Sequence, residues 1–139
     1  NYMVEEAAFA NLGQGAFTKK ANRLLRSDSA TTEGYLVVKE YYQALANGDY
    51  HSAYRELSSR EMERYGTFDL WQQAKAKEQR SAVETIRLDY VSQDVDDDVT
   101  VDYIGYRVDF VDKRPSMLVR LYSVGNGWKI VGFEEFEED

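Results

Sequence analysis

The second half of the chain alternates apolar and polar residues with the period of β-strands. In the first such run, Ile86, Leu88 and Tyr90 lie at spacing two, which predicts one buried face and one solvated face. Pro115 ends the second run, because proline cannot donate a hydrogen bond to a strand ladder. The runs lie at residues 83–91, 99–111, 117–121 and 128–133. Together they predict one bent antiparallel sheet whose four strands follow each other in chain order.

The last two strands are predicted to form a hairpin. Asn126 and Gly127 stand between them. Both residues tolerate the positive φ that a type I′ turn requires, so Asn-Gly between two β-rich runs predicts a tight connection. The spacing of the final strand directs Ile130 into the core and leaves Lys129 outside.

The residues before the sheet have helical spacing. Helices are predicted at 33–47, 50–57 and 68–79, with a short turn between the second and the third. Asn47-Gly48 fits a left-handed C-cap, and Asp49 fits the N-cap of the next helix. Ser58 and Glu61 have the spacing of a capping box.

These patterns define an α+β fold class. We predict three N-terminal helices packed on a bent four-stranded antiparallel meander sheet. The predicted core combines large apolar side chains from both layers, namely Trp71, Ile86, Leu88, Ile104, Val108, Leu121 and Ile130.

The composition fits a single folded domain. Of the 139 residues, 43% are hydrophobic and 14% aromatic, which is too rich in packing material for a disordered chain. The absence of cysteine excludes disulfides, thiolate metal sites and cysteine nucleophiles. A formal net charge of −8 opposes nucleic-acid binding, because phosphates require a basic surface. No run reaches the roughly 20 apolar residues of a membrane span, so we expect no direct membrane insertion.

The N-terminal residues differ in character from the rest. They combine an amphipathic opening with a glycine break and a basic patch. We interpret residues 1–31 as a partly helical linker or arm and residues 32–139 as the α+β domain; the alternative for the arm is partner binding or self-association. Because the sequence starts at Asn1 without a signal sequence, we expect a trimmed signal or anchor and favour an extracytoplasmic protein.

Two stretches resemble the nuclear-transport-factor-2-like superfamily, and the resemblance covers roughly residues 32–136. The stretch Tyr-Tyr-Gln-Ala-Leu-Ala-Asn-Gly-Asp-Tyr at 41–50 is similar to the helix, Gly-Asp corner and second helix that open these domains. Gly-Trp-Lys-Ile-Val at 127–131 is similar to their closing strand. The resemblance implies a cystatin-like α+β cone whose helices cover the concave face of the sheet and leave a pocket at the open end.

The resemblance does not indicate one particular function. Members of the superfamily include isomerases, dehydratases, cyclases and epoxide hydrolases, and also non-catalytic modules in transport, secretion and cell-wall enzymes. Function must therefore be argued from the site.

Four residues are candidates for catalysis. Asp102 and Glu84 lie in phase with the apolar residues of their strands, a position that favours general-base chemistry unless the side chain reaches the solvated rim. Tyr106 shares the face of Asp102, where it either packs or presents its hydroxyl. His51 is the only histidine and lies in the first turn of a predicted helix, where a solvated or structural role is favoured.

No metal or cofactor site is predicted. The acidic turn before the second strand lacks the glycine and the register of an EF-hand loop, so we interpret it as solvated. Gly13-Gln14-Gly15 lacks the preceding strand and the third glycine of a dinucleotide-binding loop. With one histidine and no cysteine, a transition-metal site is not expected.

A non-catalytic binding module is therefore the favoured function, with a small apolar ligand or a protein partner. The alternative is a small-molecule enzyme of the isomerase, dehydratase or hydrolase kind that uses a carboxylate in the pocket. An open pocket with convergent polar groups favours a carrier or an enzyme, whereas a closed core favours an interaction module. The predicted pocket is lined by aromatic side chains, namely Tyr41, Tyr54, Trp71, Tyr90 and Tyr106.

We also predict self-association through the outer face of the sheet. On the second strand that face combines aliphatic, aromatic and charged residues in the manner of an interface, namely Val99, Val101, Tyr103, Gly105, Arg107, Asp109 and Val111. The alternative is a monomer in which the N-terminal arm, with Phe9, Phe17, Leu24 and Leu25, covers this face. The dimer is favoured only slightly, because a charge of −8 on each subunit opposes a symmetric contact.

Overall fold

The computed structural model describes residues 31–78, 82–96, 98–124 and 127–136, in which four helices precede four strands. Helix α1 covers residues 31–46. The others are α2 (Tyr50–Arg55), α3 (Ser59–Tyr65) and α4 (Phe68–Lys77). The strands are β1 (Val83–Asp96), β2 (Val99–Phe110), β3 (Met117–Val124) and β4 (Gly127–Glu135). The α+β prediction is confirmed, with one helix more than predicted, because the short turn before Tyr65 is a helix of seven residues.

The helix boundaries follow the predicted caps. Gly48 has φ +73° at the end of α1, and Asp49 Oδ1 accepts the backbone N–H of Ser52 at 3.2 Å. At the start of α3, Ser58 Oγ accepts the backbone N–H of Glu61 at 3.1 Å. The backbone N–H of Ser58 donates to the carbonyl of Ile130. Only one of the two hydrogen bonds of a capping box is therefore present, the one from the Glu61 N–H to the Ser58 hydroxyl. The Glu61 carboxylate does not bond back to the Ser58 N–H, which donates to Ile130 instead.

The sheet is antiparallel with strand order β1-β2-β3-β4, as predicted. In the last hairpin Val124 pairs with Gly127, so the connection consists of residues 125 and 126, which lie outside the described residues. The predicted turn, which included Gly127, was therefore wrong by one residue. The predicted facing is confirmed, because Ile130 is fully buried and Lys129 is not.

Two bulges in β1 interrupt the predicted alternation. Leu88 lies opposite Tyr106, but the next paired residue, Tyr90, lies opposite Gly105. A bulge inserts one residue and turns the following side chains over. The prediction that Tyr90 shares a face with Ile86 and Leu88 is therefore wrong, since Tyr90 lies on the other side of the sheet.

The helices and one face of the sheet, which we call the inner face, form a single core. Five of the seven predicted core residues are fully buried, and the two on edge strand β1, Ile86 and Leu88, are half-buried against them. Removing this apolar surface from water is the main source of stability. The fully buried large side chains are Trp71, Tyr41, Tyr106, Leu57, Ile104, Leu121, Ile130, Val38, Val108 and Val119.

The junction of α2 and α3 is bonded to the free edge of β4. The backbone N–H of Ile130 donates to the carbonyl of Glu56 at 2.9 Å, and its carbonyl accepts from Ser58 at 2.8 Å. These bonds form a short parallel bridge between Leu57 and Ile130. The helices are thereby fixed to the sheet by backbone hydrogen bonds as well as by packing.

The opposite side of the sheet, the outer face, has a charged network centred on Asp109. Its carboxylate accepts hydrogen bonds from Thr85 and Arg87 of β1, both at 2.8 Å, from Arg107 at 3.0 Å, and from Ser116. Burial alone would raise the pKa of Asp109. The four hydrogen bonds outweigh burial and hold the pKa of this carboxyl well below its usual range.

The predictions for the N-terminal arm, apart from residue 31, lie outside the described residues. In the described ranges no helix is both long enough and apolar enough to cross a membrane.

Candidate functional site

A cavity of about 1300 Å³ opens between the helices and the inner face, at the end of the sheet where β1 begins. Helices α1, α3 and α4 form one wall, and the first residues of β1 with the end of β2 form the other. Its lining includes Tyr41, Tyr42, Ala46, Glu61, Arg64, Tyr65, Lys75, Glu78, Glu84, Ile86, Phe110, Arg114, Met117 and Phe133. Its volume exceeds the 300–1,000 Å³ that is typical of small-molecule sites.

Aromatic rings form the base of the cavity. The ring of Tyr41 lies 5.2 Å from the rings of both Tyr42 and Phe133, measured between centroids. Tyr42 in turn packs edge-on against Phe110 at 5.8 Å. These contacts join α1 to β2 and β4, and they give the cavity a rigid apolar surface.

Two tyrosine side chains with hydroxyl groups line this cavity, Tyr42, which is half-buried, and Tyr41, which is 1% exposed. Among the described residues, neither the Tyr41 nor the Tyr42 hydroxyl has a hydrogen-bond partner. Burial raises the pKa of both, and the nearby carboxylate of Glu78 raises each pKa further. Both hydroxyls therefore stay protonated at physiological pH and can donate a hydrogen bond.

Lys75 brings a positive charge into the cavity from α4. Its ammonium lies 5.6 Å from the centroid of the Tyr65 ring and 5.7 Å from that of Phe133, within the range of cation–π attraction. It also pairs with Glu78 at 3.3 Å. The Lys75 side chain is 12% exposed and that of Glu78 is 58% exposed, so the cation is the inner member of this pair.

Glu61 and Arg114 are the other partly enclosed charges of the lining. The side chain of Glu61 is 4% exposed, and its carboxylate lies 3.5 Å from the guanidinium of Arg64. Arg114 follows β2, and its guanidinium carbon lies 5.3 Å from the centroid of the Phe110 ring. The Arg114 Nε atom is 3.3 Å from Asp112 Oδ1. The site thus combines an aromatic base with a few charged groups at its wall.

A second groove, of about 580 Å³, lies on the outer face beside α3. It is built on a row of tyrosines, because Tyr103 and Tyr122 stack at 6.3 Å and Tyr90 lies over Gly105. A Cβ at Gly105 would lie 2.1 Å from the Tyr90 ring, so this glycine makes room for the ring. Its lining also includes the arginines 60, 64 and 120.

The structure does not bring the four predicted catalytic residues together. Glu84 is exposed at the rim of the cavity, at the bulge between Val83 and Thr85. Asp102 accepts a hydrogen bond from Gln93 at 2.8 Å, at the far end of β2 from the cavity. The remaining two lie outside the lining: the His51 ring stacks on Phe68 at 4.1 Å, and the Tyr106 hydroxyl donates to the Thr31 carbonyl in the core.

Of the five residues predicted for the ligand pocket, Tyr41 alone lines the cavity. Tyr54 and Trp71 belong to an aromatic cluster of α2 and α4, with ring centroids 5.1 Å apart. Tyr106 is buried in the core, and Tyr90 lies in the outer groove.

Sequence reasoning missed Tyr42, Lys75 and Arg114. Lys75 had a signal that could have been used, because it lies four residues after Trp71 and one helical turn places it on the same inward face. Tyr42 lies inside the predicted helix 33–47, and its spacing there gives no role to its hydroxyl. Arg114 lies in a loop, where no periodicity indicates direction.

The described residues contain no group of three histidine, aspartate or glutamate side chains placed to hold a metal ion.

A comparison of the chain with protein-family models, with curated proteins and with solved structures finds no match. The site must therefore be interpreted from its own geometry.

Proposed function

We propose that this chain is a non-catalytic binding domain that holds a small ligand with an apolar body in the cavity between its helices and its sheet. The observation that supports this function is an open cavity with an aromatic base, where Tyr41, Tyr42 and Phe133 pack against one another. Such a surface removes apolar ligand area from water without requiring a change in the protein.

The charges of the lining support binding over catalysis. Lys75 pairs with Glu78, and Glu61 pairs with Arg64, so each of these groups already has a partner of opposite sign. His51, the only histidine of the chain, lies outside the residues that line the cavity. The Thr85 hydroxyl of the lining donates a hydrogen bond to the Asp109 carboxylate, but the pKa of this carboxyl lies well below its usual range, so it is a poor base for activating a nucleophile.

One observation favours the enzymatic alternative. The Glu61 carboxylate faces the cavity and is almost fully enclosed, as a general base in a water-poor site would be. Replacing Glu61 with glutamine tests this candidate, because loss of a catalytic base abolishes turnover of a bound ligand without abolishing its binding.

We also propose membership of the nuclear-transport-factor-2-like superfamily. Its support is the element order, with helices first and a four-stranded antiparallel meander after them, and the location of the cavity between the two layers. This assignment carries no function by itself.

The test of the binding function is a titration with an uncharged fluorescent probe, the methyl ester of 11-(dansylamino)undecanoic acid. Ala46→Trp places an indole at the rim of the cavity, and Ala76→Trp places one on an exposed position of α4 that does not line it. We expect saturable binding of one probe per chain and an affinity that falls about tenfold or more in the Ala46 variant. The Ala76 variant should bind like the wild type. Absence of saturable binding of both this ester and its parent acid, or equal loss in both variants, would refute the function.

A further inference from the structure

We propose that the ligand of this cavity carries a carboxylate, which the Arg114 guanidinium and the Tyr42 hydroxyl bind together. This inference rests on the binding function proposed above and specifies the chemical class of the ligand as an amphipathic carboxylic acid.

The geometry begins with Phe110, because both polar groups pack on its ring. The Arg114 guanidinium carbon lies 5.3 Å from the ring centroid, and the Tyr42 ring packs edge-on at 5.8 Å. The same ring therefore holds an arginine and a tyrosine at one part of the cavity wall. Burial raises the pKa of the Tyr42 hydroxyl and the charge of Arg114 lowers it, which indicates that the two donors lie near each other.

Asp112 and the Phe110 ring hold the Arg114 side chain. Asp112 Oδ1 accepts the backbone N–H of Arg114 at 3.1 Å. It also lies 3.3 Å from the Nε atom, which is buried and makes no hydrogen bond within the described part of the chain, so this contact is an ion pair only. Among the described residues, the two terminal amino groups of Arg114 have no hydrogen-bond partner. Two parallel N–H donors in a plane match the two oxygens of a carboxylate, and this is the geometry in which arginine binds such groups most strongly.

The balance of charge in the wall also favours an anion. The three least exposed charged side chains with an ion pair in the lining are those of Glu61, Lys75 and Arg114, at 4%, 12% and 29% exposure. Each of the three has an ion-pair partner that is more exposed, since Arg64 is 66% exposed, Glu78 58% and Asp112 45%. Water screens these outer partners more than it screens the inner charges. The inner charges are two cations and one carboxylate, so an entering anion is attracted.

The other lining residues near Phe110 indicate which kind of group is attached to the carboxylate of the ligand. Beside Phe110, the lining contains Ile86 and Met117, both half-buried against the core. A chain or ring attached to the carboxylate would cover these side chains. The class of ligand is therefore an aliphatic or aryl carboxylic acid, not a fully polar anion.

The experiment compares 11-(dansylamino)undecanoic acid with its methyl ester at pH 7.5, by fluorescence titration. The two probes differ at one end only. The acid has a negatively charged carboxylate there, and the methyl ester has an uncharged group that accepts hydrogen bonds less strongly. The variants are Arg114→Gln, Tyr42→Phe, which keeps the ring contact and removes the hydroxyl, and Arg60→Gln, an exposed arginine outside the cavity, as the control.

We expect the wild type to bind the acid about tenfold or more tightly than the ester, because hydrogen bonds to a charged group are involved. Arg114→Gln should remove this preference by weakening acid binding and leaving ester binding unchanged. Tyr42→Phe should reduce it by about threefold to tenfold, and the Arg60 variant should keep it in full.

The outcomes separate the two proposals. If acid and ester bind equally, or if the preference survives in the Arg114 variant, the carboxylate inference is overturned and the binding function stands. If neither probe binds to the wild type, the binding function itself is refuted.

Discussion

We expect Asp109→Asn to destabilise the protein by about 2 kcal/mol, a magnitude worked out from the partners of this carboxylate. Arg87 is 58% exposed, so its bond to Asp109 has the value of a surface ion pair, below about 1 kcal/mol. Arg107 and Asp109 are 23% and 21% exposed, and a charge-assisted bond between partly buried groups contributes roughly 1.5 kcal/mol. Asparagine keeps an oxygen that accepts from Ser116 or Thr85, so those bonds are not counted as lost.

The substitution also leaves two cations facing each other. Arg87 and Arg107 are direct partners in the register of β1 and β2, and Asp109 bonds to both. Like charges directly opposite each other destabilise a strand pair. The double variant Arg87→Gln, Asp109→Asn should therefore be no less stable than Asp109→Asn alone, because it removes one of the two repelling charges.

The assay is urea unfolding, with the free energy of unfolding taken at constant m-value. Asp89→Asn is the control, since Asp89 is an exposed aspartate of the same strand region, and it should change stability by less than about 0.5 kcal/mol. A loss below this value for Asp109→Asn would refute the argument. A double variant that loses as much stability as Asp109→Asn and Arg87→Gln lose together, when each is measured alone, would also refute the argument.

The pH dependence has a defined sign. The folded-state pKa of Asp109 is depressed, so its stabilisation is present above the unfolded pKa of about 3.9 and is lost as the pH falls toward the folded value. The difference in stability between the wild type and the asparagine variant should therefore be constant from pH 8 to about pH 5. It should shrink only below about pH 4.

Three further predictions concern packing, capping and assembly. Gly105→Ala should cost about 1–3 kcal/mol in urea unfolding, because its Cβ overlaps the Tyr90 ring, and the added substitution Tyr90→Ala should make the glycine replacement nearly neutral. Asp49→Ala should lower the urea midpoint by removing the N-cap of α2, whereas Asp49→Ser should keep most of the stability. We expect a dimer through the outer face, and a sedimentation experiment at micromolar concentration that finds only a 16.1 kDa species, insensitive to salt, would contradict it.

The sequence predicted the layers of the fold because each layer has its own period. The spacing of Ile104, Val108 and their strand neighbours required a sheet with one buried face, and the caps at Gly48 and Asp49 required a corner between helices. The spacing of apolar residues along a strand does not reveal a single bulge. Tyr90 continues an apparent alternation from Leu88, and only the pairing with Gly105 reveals that its side chain has changed faces.

The candidate site was harder to predict, because its groups come from separate elements that no local pattern connects. Arg114 and Tyr42 meet at Phe110, although a helix, a strand and a loop supply the three residues. The predicted catalytic residues were chosen by their phase within one strand. Phase indicates a face but not a position along the sheet, and Asp102 lies on the inner side at the end far from the cavity.

The same helix contributes to the core and to the wall of the cavity. On the inward side of α4, Trp71 fills the space between the helices and the sheet, together with Tyr54 and Phe68. One turn later that side carries Lys75, a slender charged chain that cannot be packed into an apolar core and that needs Glu78 and two aromatic faces around it. With these partners the Lys75 side chain is 12% exposed, so the charge is enclosed at the cavity wall and not in the apolar core. The inward side of α4 thus changes from core to cavity wall within one turn, where a tryptophan is followed four residues later by a lysine.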